Sequence, residues 1–419
     1  MTTSEDTQAH WTVISPTTWP DAPAEMSVST YTEIEECPRR WALGAAEYPD
    51  LWGGRGYPPR LQVAALAGSV VHLALEIITK RLTRAGAPSQ DHPLATQVLK
   101  ELGGYTNVVQ GCVEHLLKRF ANNPRARPLM EYAQRTLQGQ VPALRMRVQA
   151  MLARLHLTAG AAASAPTTAS TPQRISLTNG TYPEVELRAK CIGWKGKADL
   201  LVLADDACEI TDFKTGAADE AHKFQVRVYA VLWRLDDELN PSGRLVNRLV
   251  LAYDSHDVDV SPPSAQEVDE LGQELLRRRR AAESALAARP PAARPSAENC
   301  RYCSVRHLCD AYWAGTAQVV SDDGRFADVE LKIVGRHGPT SWDAVVVRAR
   351  SLPAKSPALL RLQQPTEFKV GTHLRVLDGA LARDPEDAAA PIIVTLGAFS
   401  ETYHLAPRSP ERPGARATP

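Results

Sequence analysis

A chain of 419 residues is long enough for two domains, and its 44% hydrophobic content can supply real cores. Lys plus Arg and Asp plus Glu both number 48, so any nucleic-acid binding has to rest on a local basic surface and not on net charge. No run of about 18 apolar residues stands out as a membrane span, and the acidic start MTTSEDTQAH is no basic leader. The expectation is a soluble, cytoplasmic protein with no membrane partner.

In chain order, residues 1–26 hold Pro16, Pro20 and Pro23 without a period and read as an irregular leader. The following text predicts a helix through Glu36 with Ser29 as N-cap. Cys37-Pro38-Arg39-Arg40-Trp41 and an Arg-bearing Gly/Pro loop over 48–60 come next. Residues 61–82 are amphipathic, and Gly68, His72 and Glu76, four apart, share one stripe. By itself a lone histidine there is a satisfied or surface group. Residues 93–156 read as helical, with breaks at Gly103-Gly104, Pro124 and Pro128. This region carries Lys118, Arg119, Arg125, Arg127, Arg135, Arg145, Arg147 and Arg154 against Glu131. These are either solvated faces or a basic wall for a phosphate backbone. Residues 158–173 are small and polar, as in a linker.

A strand over 184–192 leads into two β-type runs, 198–203 and 209–214, joined by Ala204-Asp205-Asp206-Ala207 as a hairpin. Side chains alternate along strands, so Asp212 and Lys214 share a face, and pairing can bring Asp199 beside them. Two carboxylates suit a divalent cation such as Mg²⁺, and the lysine can orient a water or neutralise charge on a phosphate. Taken alone, an Asp-x-Lys triplet is as compatible with surface acids on a half-buried hairpin. Gln225 and Tyr229, one helical turn apart, share a helix face. An apolar strand over 248–254 and a helix over 264–288 bearing four arginines, 277–280, complete this part.

Seven cysteines without a secretion signal argue against a disulfide framework. Cys300, Cys303 and Cys309 form a tight C-x2-C-x5-C cluster, whereas Cys112, Cys191 and Cys208 are single. From about 316 the sequence turns to strands, at 318–322, 326–334, 342–350, 358–364, 373–377 and 392–396. That pattern predicts a small all-β barrel over 316–406, OB-like first and SH3-like second, which binds single strands or docks a protein. A disordered tail is expected over 407–419.

The ordered set Gly68-x3-His72, Gly196-x2-Asp199, Asp212-Phe213-Lys214-Thr215-Gly216 and Gln225-x3-Tyr229 resembles the PD-(D/E)xK nucleases, and within them the RecB-like exonuclease branch. The resemblance runs over about 27–315. It implies an α/β restriction-endonuclease-like core, a mixed sheet flanked by helices, with a helical insertion at 93–156. It also implies that Asp199 and Asp212 ligate Mg²⁺ or Mn²⁺, with His72 as a further ligand or close neighbour and Glu76 a weaker candidate. Lys214 would be the catalytic lysine, and Gln225 and Tyr229 would line the site and touch the nucleic acid. Members of that branch staple an N-terminal cysteine to three C-terminal ones around a [4Fe-4S] cluster, which makes Cys37 the partner of Cys300, Cys303 and Cys309. Structural Zn²⁺ is the alternative, and His307 could replace a cysteine. The implied function is a metal-dependent DNA exonuclease acting on single strands or ends in repair, recombination or phage defence, with a possible helicase partner. The alternatives are a non-catalytic DNA-binding or scaffold subunit of a helicase–nuclease complex, and a structure-specific or restriction-type endonuclease.

Overall fold

The computed structural model describes residues 11–48, 51–52, 56–158, 174–315, 318–387 and 389–405. Most of the linker expected at 158–173 and the tail at 407–419 lie outside them. In chain order the elements are β1 (Trp11–Thr12), α1 (Val28–Glu36), α2 (Pro38–Ala45), α3 (Val63–Ala85), α4 (Pro93–Glu101), α5 (Gly104–Arg119), α6 (Met130–Leu152), β2 (Gly180–Ala189), β3 (Trp194–Leu203), β4 (Cys208–Lys214), α7 (Glu220–Leu235), β5 (Arg248–Tyr253), β6 (Asp257–Val260), α8 (Ala265–Ala287), α9 (Ala297–Arg301), α10 (Asp310–Ala314), β7 (Phe326–Gly338), β8 (Ser341–Arg348), β9 (Pro357–Arg361), β10 (His373–Ala382), β11 (Ile392–Thr395) and β12 (Glu401–His404). They fall into two compact units. One holds Asp21–Glu35 and Arg60–Ala288; the other holds the described residues of Met1–Pro20, Glu36–Pro59 and Arg289–Pro419.

The first unit is built on a five-stranded mixed sheet in the order β2-β3-β4-β5-β6. The hairpin expected from the sequence is β3–β4, antiparallel with Leu200 opposite Thr211 and Leu203 opposite Cys208. β4 then pairs parallel with β5, and α7 makes the crossover. α7 starts where the Asp219 side chain accepts from Ala221 N, and it packs across β2 to β5 with α8 against it. α8 begins on a capping box between Ser264 and Glu267. α3, α5 and α6 share a core that takes in Leu200, Val202 and Phe213 of the sheet. α3 is the one described helix long and apolar enough to cross a membrane by length and composition, although Ser69, His72 and Glu76 interrupt its apolar residues. Its Val70, Val71, Leu75, Ile78 and Leu82 lie wholly within the core, which accounts for its apolarity. α1 starts two residues earlier than expected: Ser27 Oγ, not Ser29, accepts from Thr30 N.

Breaks in the helical region fall where glycine and proline put them. Gly103 and Gly104, both at positive φ, separate α4 from α5, and Pro128 sits in the 3-10 turn before α6. Three of the eight basic residues in this region are engaged inside the unit, while Lys118, Arg119, Arg127 and Arg135 are exposed. Arg125 is buried, Arg147 reaches Asp254 at 2.7 Å and the Thr215 carbonyl, and Arg154 pairs with Asp257. The 277–280 arginines are likewise engaged in part: Arg277 and Arg278 pair with Glu274, and Arg279 pairs with Glu283.

The second unit contains the expected barrel. β7, β8, β9, β11 and β10 close a ring, because β10 pairs back onto β7 and β9 pairs parallel with β11. Val329, Leu331, Trp342, Leu360, Leu374 and Val394 fill it. Two strands were not foreseen. β12 pairs with β10, and β1, from the segment read as an irregular leader, pairs parallel with β12. The expected strand at 318–322 is reduced to a bridge between Val320 and Ala327.

The division also differs from the expected boundary at 315. The 36–59 and 289–315 segments, cysteines included, group with the barrel. Side chains explain why. The Arg306 guanidinium is buried against Asp328 and Asp378, Tyr312 donates to Asp328 at 2.6 Å, and His307 stacks on Tyr403 with centroids 3.8 Å apart.

Candidate active site

Five of the six residues expected to form the catalytic centre come from three adjacent elements, and α3 supplies the sixth. Asp199 lies on β3, Asp212 and Lys214 on β4, Gln225 and Tyr229 on α7, and His72 on α3. All six line one cavity of about 350 Å³. The alternation of β4 works as expected: Lys214 Nζ lies 2.6 Å from Asp212 Oδ2 as an ion pair. Lys214 donates to Gln225 Oε1 at 2.8 Å, and Gln225 Nε2 donates to the Tyr229 hydroxyl at 2.6 Å. The lysine is therefore held from two sides.

Asp199 is fixed by the hairpin, where its Oδ2 accepts from Phe213 N at 2.6 Å. Its Oδ1 faces His72 Nδ1 at 3.4 Å. Two glycines permit this approach. A Cβ on Gly68 would lie 2.7 Å from Thr215 Oγ1, and one on Gly196 would lie 2.7 Å from the Tyr229 ring. They are the glycines of the two motifs carrying His72 and Asp199, so close approach of α3 and α7 to the sheet is their physical reason.

The electrostatics are those of buried like charges. Burial, and then the Asp199 carboxylate, push Asp212 up to about 6 against the pull of Lys214. Burial lowers His72, but its contact with Asp199 outweighs that and leaves the imidazole above its ordinary value. Burial raises the Tyr229 hydroxyl well out of the working range, so it is a neutral hydrogen-bonding group.

The structure adds members that the sequence reading missed. Lys197 lines the same cavity, two residues before Asp199 and on the same strand face, so period two was the available signal. Glu184 sits between the pairs Pro183–Leu200 and Val185–Ala198, across from Asp199, and forms an ion pair with Lys197. Its φ of 58° is left-handed, a strained backbone for a residue with a side chain. No sequence signal marks that. His222 of α7 also lines the cavity, and its Nδ1 lies 3.0 Å from the Tyr253 hydroxyl. Glu76 turns to Lys80 at 2.5 Å and is absent from this lining.

The donor set fits a hard divalent cation. The Asp199 and Asp212 carboxylates both line the cavity, and the buried Asp212 Oδ2 has the Lys214 ammonium as its charged partner there. Among the described residues no three His, Cys, Asp or Glu side chains converge closely enough to hold an ion alone. Mg²⁺ does not require it, since it keeps several waters and takes one or two carboxylates.

Cys37, Cys300, Cys303 and Cys309 are free thiols that together line a second, mainly apolar cavity in the other unit. Cys37 Sγ accepts from Arg294 N at 3.5 Å. Burial pushes the Cys303 thiol up to about 12. His307 is not part of this lining: its Nε2 lies 2.7 Å from the Tyr57 hydroxyl and its ring on Tyr403, so it does not replace a cysteine. Cys112 and Cys208 are buried singly, and Cys191 is exposed.

A family model described as the PD-(D/E)XK nuclease superfamily matches residues 25–310. Among solved structures, the chain is similar to one titled "Crystal structure of SSO0001", with 19% identity over 32% of this chain and 61% of that one, at a TM-score of 0.20. The match thus spans less than two thirds of that protein and carries no argument about the fold. No curated protein matches the chain.

Proposed function

The chain belongs to the PD-(D/E)xK nuclease superfamily, and on that premise we propose that it is a divalent-cation-dependent DNA exonuclease acting on single strands or ends. The observation that carries this reading is the joint placement of Asp199, Asp212, Lys214, Gln225 and Tyr229 around one cavity. Asp199 and Asp212 would hold Mg²⁺ or Mn²⁺, which when bound supplies Lewis-acid stabilisation of a phosphoryl oxygen. Lys214, fixed between Asp212 and Gln225, places its ammonium where charge develops on the phosphate or where a water must be oriented. The Tyr229–Gln225 hydrogen bond keeps the amide oxygen turned to the lysine. His72 holds Asp199 Oδ1 and limits its rotation. A scaffold subunit has no use for this set, which disfavours the non-catalytic reading.

The test is cleavage of end-labelled single- and double-stranded DNA with Mg²⁺ or Mn²⁺, beside Asp212→Ala and Lys214→Ala. Loss in both variants supports the mechanism, and unchanged activity in both would sink it. The pattern of labelled products separates exonuclease from structure-specific endonuclease.

We further propose that the four-cysteine cavity holds a [4Fe-4S] cluster. The support for it is that Cys37, 263 positions before Cys300, lines the same cavity as Cys300, Cys303 and Cys309, a set of four thiols that also suits zinc. Iron and acid-labile sulfide in brown, anaerobically purified protein support it; zinc in a colourless preparation overturns it. The ring order of the barrel supports an OB-like fold. A role in repair, recombination or phage defence in the cytoplasm, with a helicase partner, is part of this proposal.

A further inference from the structure

The catalytic cavity does not end at the catalytic residues. On one side lies a recess of about 470 Å³ that shares His72, Asp199 and Thr215 with it and is walled by α3 and α5, ending at Ser69, His115 and Arg119. On the other side lies a recess of about 250 Å³ that shares Lys197, Gln225 and Tyr229 and is walled by the start of α1 and by Lys195 of β3. The shared side chains are partitions, so the three recesses form one row with the catalytic cavity in the middle. All belong to the same compact unit.

We propose that this row is the track of a single nucleic-acid strand, with Arg119 and Lys195 holding backbone phosphates on opposite sides of the one being cut. The inference rests on the nuclease reading above and deepens it by naming the form of substrate and the residues that position it.

Three observations support the assignment. The first is continuity: the catalytic cavity of about 350 Å³ shares lining side chains with the recess on each side, of about 470 Å³ and about 250 Å³. The second is available charge. Arg119 is exposed and has no carboxylate partner among the described residues, whereas Arg147 on α6 and Arg154 just beyond it are committed to Asp254 and Asp257. The nearest acid to Lys195 is Glu25, at 3.9 Å. The third is that acids in the two flanking recesses outside the catalytic set are already answered. Glu76 pairs with Lys80, Glu184 with Lys197 and Glu186 with Arg188. What remains at the two ends is Arg119 without a carboxylate and Lys195 with only the long Glu25 pair at 3.9 Å, an arrangement that suits a phosphate backbone and carries no base preference.

Arg119 and Lys195 are therefore positioning residues, and the full-length protein tests them. Arg119→Ala and Lys195→Ala are each expected to raise KM for a single-stranded oligonucleotide about tenfold with kcat retained, and to reduce the salt slope by about 1. The loss on the oligonucleotide should exceed any loss on bis(p-nitrophenyl) phosphate, which needs only the central cavity. Binding of a fluorescent oligonucleotide in Ca²⁺ provides a second readout that does not depend on cleavage, and Arg119→Glu and Lys195→Glu should weaken it further. Unchanged KM, salt slope and binding in folded variants overturn the track. Absence of all cleavage by the wild-type protein, with Arg119- and Lys195-dependent binding intact, overturns the nuclease reading and leaves the track standing.

Discussion

Asp212 is where the site stores its conflict: a buried carboxylate, an ion pair with Lys214, and a second carboxylate close by. Its folded pKa lies above its ordinary value, so in cation-free protein the folded state binds the proton more tightly than the unfolded chain does. Stability is then full below about pH 4 and falls as pH rises through about 6, by on the order of 2 kcal/mol. Urea midpoints below and above that window should show the fall in wild type, and Asp212→Asn should abolish it. A divalent cation competes with this proton, so added Mg²⁺ should raise the melting temperature more at neutral pH than at acid pH. Lys214→Ala should reduce kcat about a hundred- to a thousandfold, the range for losing one fixed donor at a developing charge. The shared face of Asp212 and Lys214 was legible from strand period, and the site role of Asp199, Asp212 and Lys214 only from the family resemblance. Lys197 obeyed the same period and was passed over because a lysine two residues from an acid looks like any surface charge. Glu184 was illegible, since its inward turn depends on a left-handed backbone that only the β2–β3 pairing imposes.

Between elements, the site is assembled by close approaches. Gly196 lets Tyr229 of α7 lie against β3, and a Cβ there would meet the ring at 2.7 Å. Gly196→Ala should therefore cost about 1–3 kcal/mol as overpacking and displace Tyr229 from Gln225. A thermal melt and a kinetic assay check both, and a variant as stable and as active as wild type refutes the packing role. α8 depends on its reciprocal Ser264–Glu267 cap, so Ser264→Ala should lower stability by about 1 kcal/mol without altering the catalytic pH profile. The long elements were readable because many positions repeat one period; α3 and α8 were placed within about one turn. β1 and β12 were not, because strands of two and four residues carry too little pattern to stand out. Their pairing partners alone make them strands.

Across the whole chain, the two units divide the chemistry. The catalytic cavity lies in one, and the four cysteines lie with the barrel in the other. Arg306 is buried against Asp328 and Asp378, and removing it leaves carboxylates without their counter-charge. Arg306→Ala should destabilise the barrel-bearing unit by about 3–5 kcal/mol. Calorimetry should show that unit's transition moving down, and an unchanged thermogram would refute the ledger of that ion pair. The sequence by itself determined the catalytic hairpin, the helix that follows it, the glycines beside the site and the cysteine spacing, because each is encoded in residue types at short range. Only the tertiary structure decided that Arg125, Arg147 and Arg154 are engaged inside the unit while Arg119 stays exposed, that Glu184 and Lys197 join the site, and that the cysteine segment belongs with the barrel. Those outcomes depend on which distant side chains meet, and burial makes an unpaired charge too costly to leave its partner to chance.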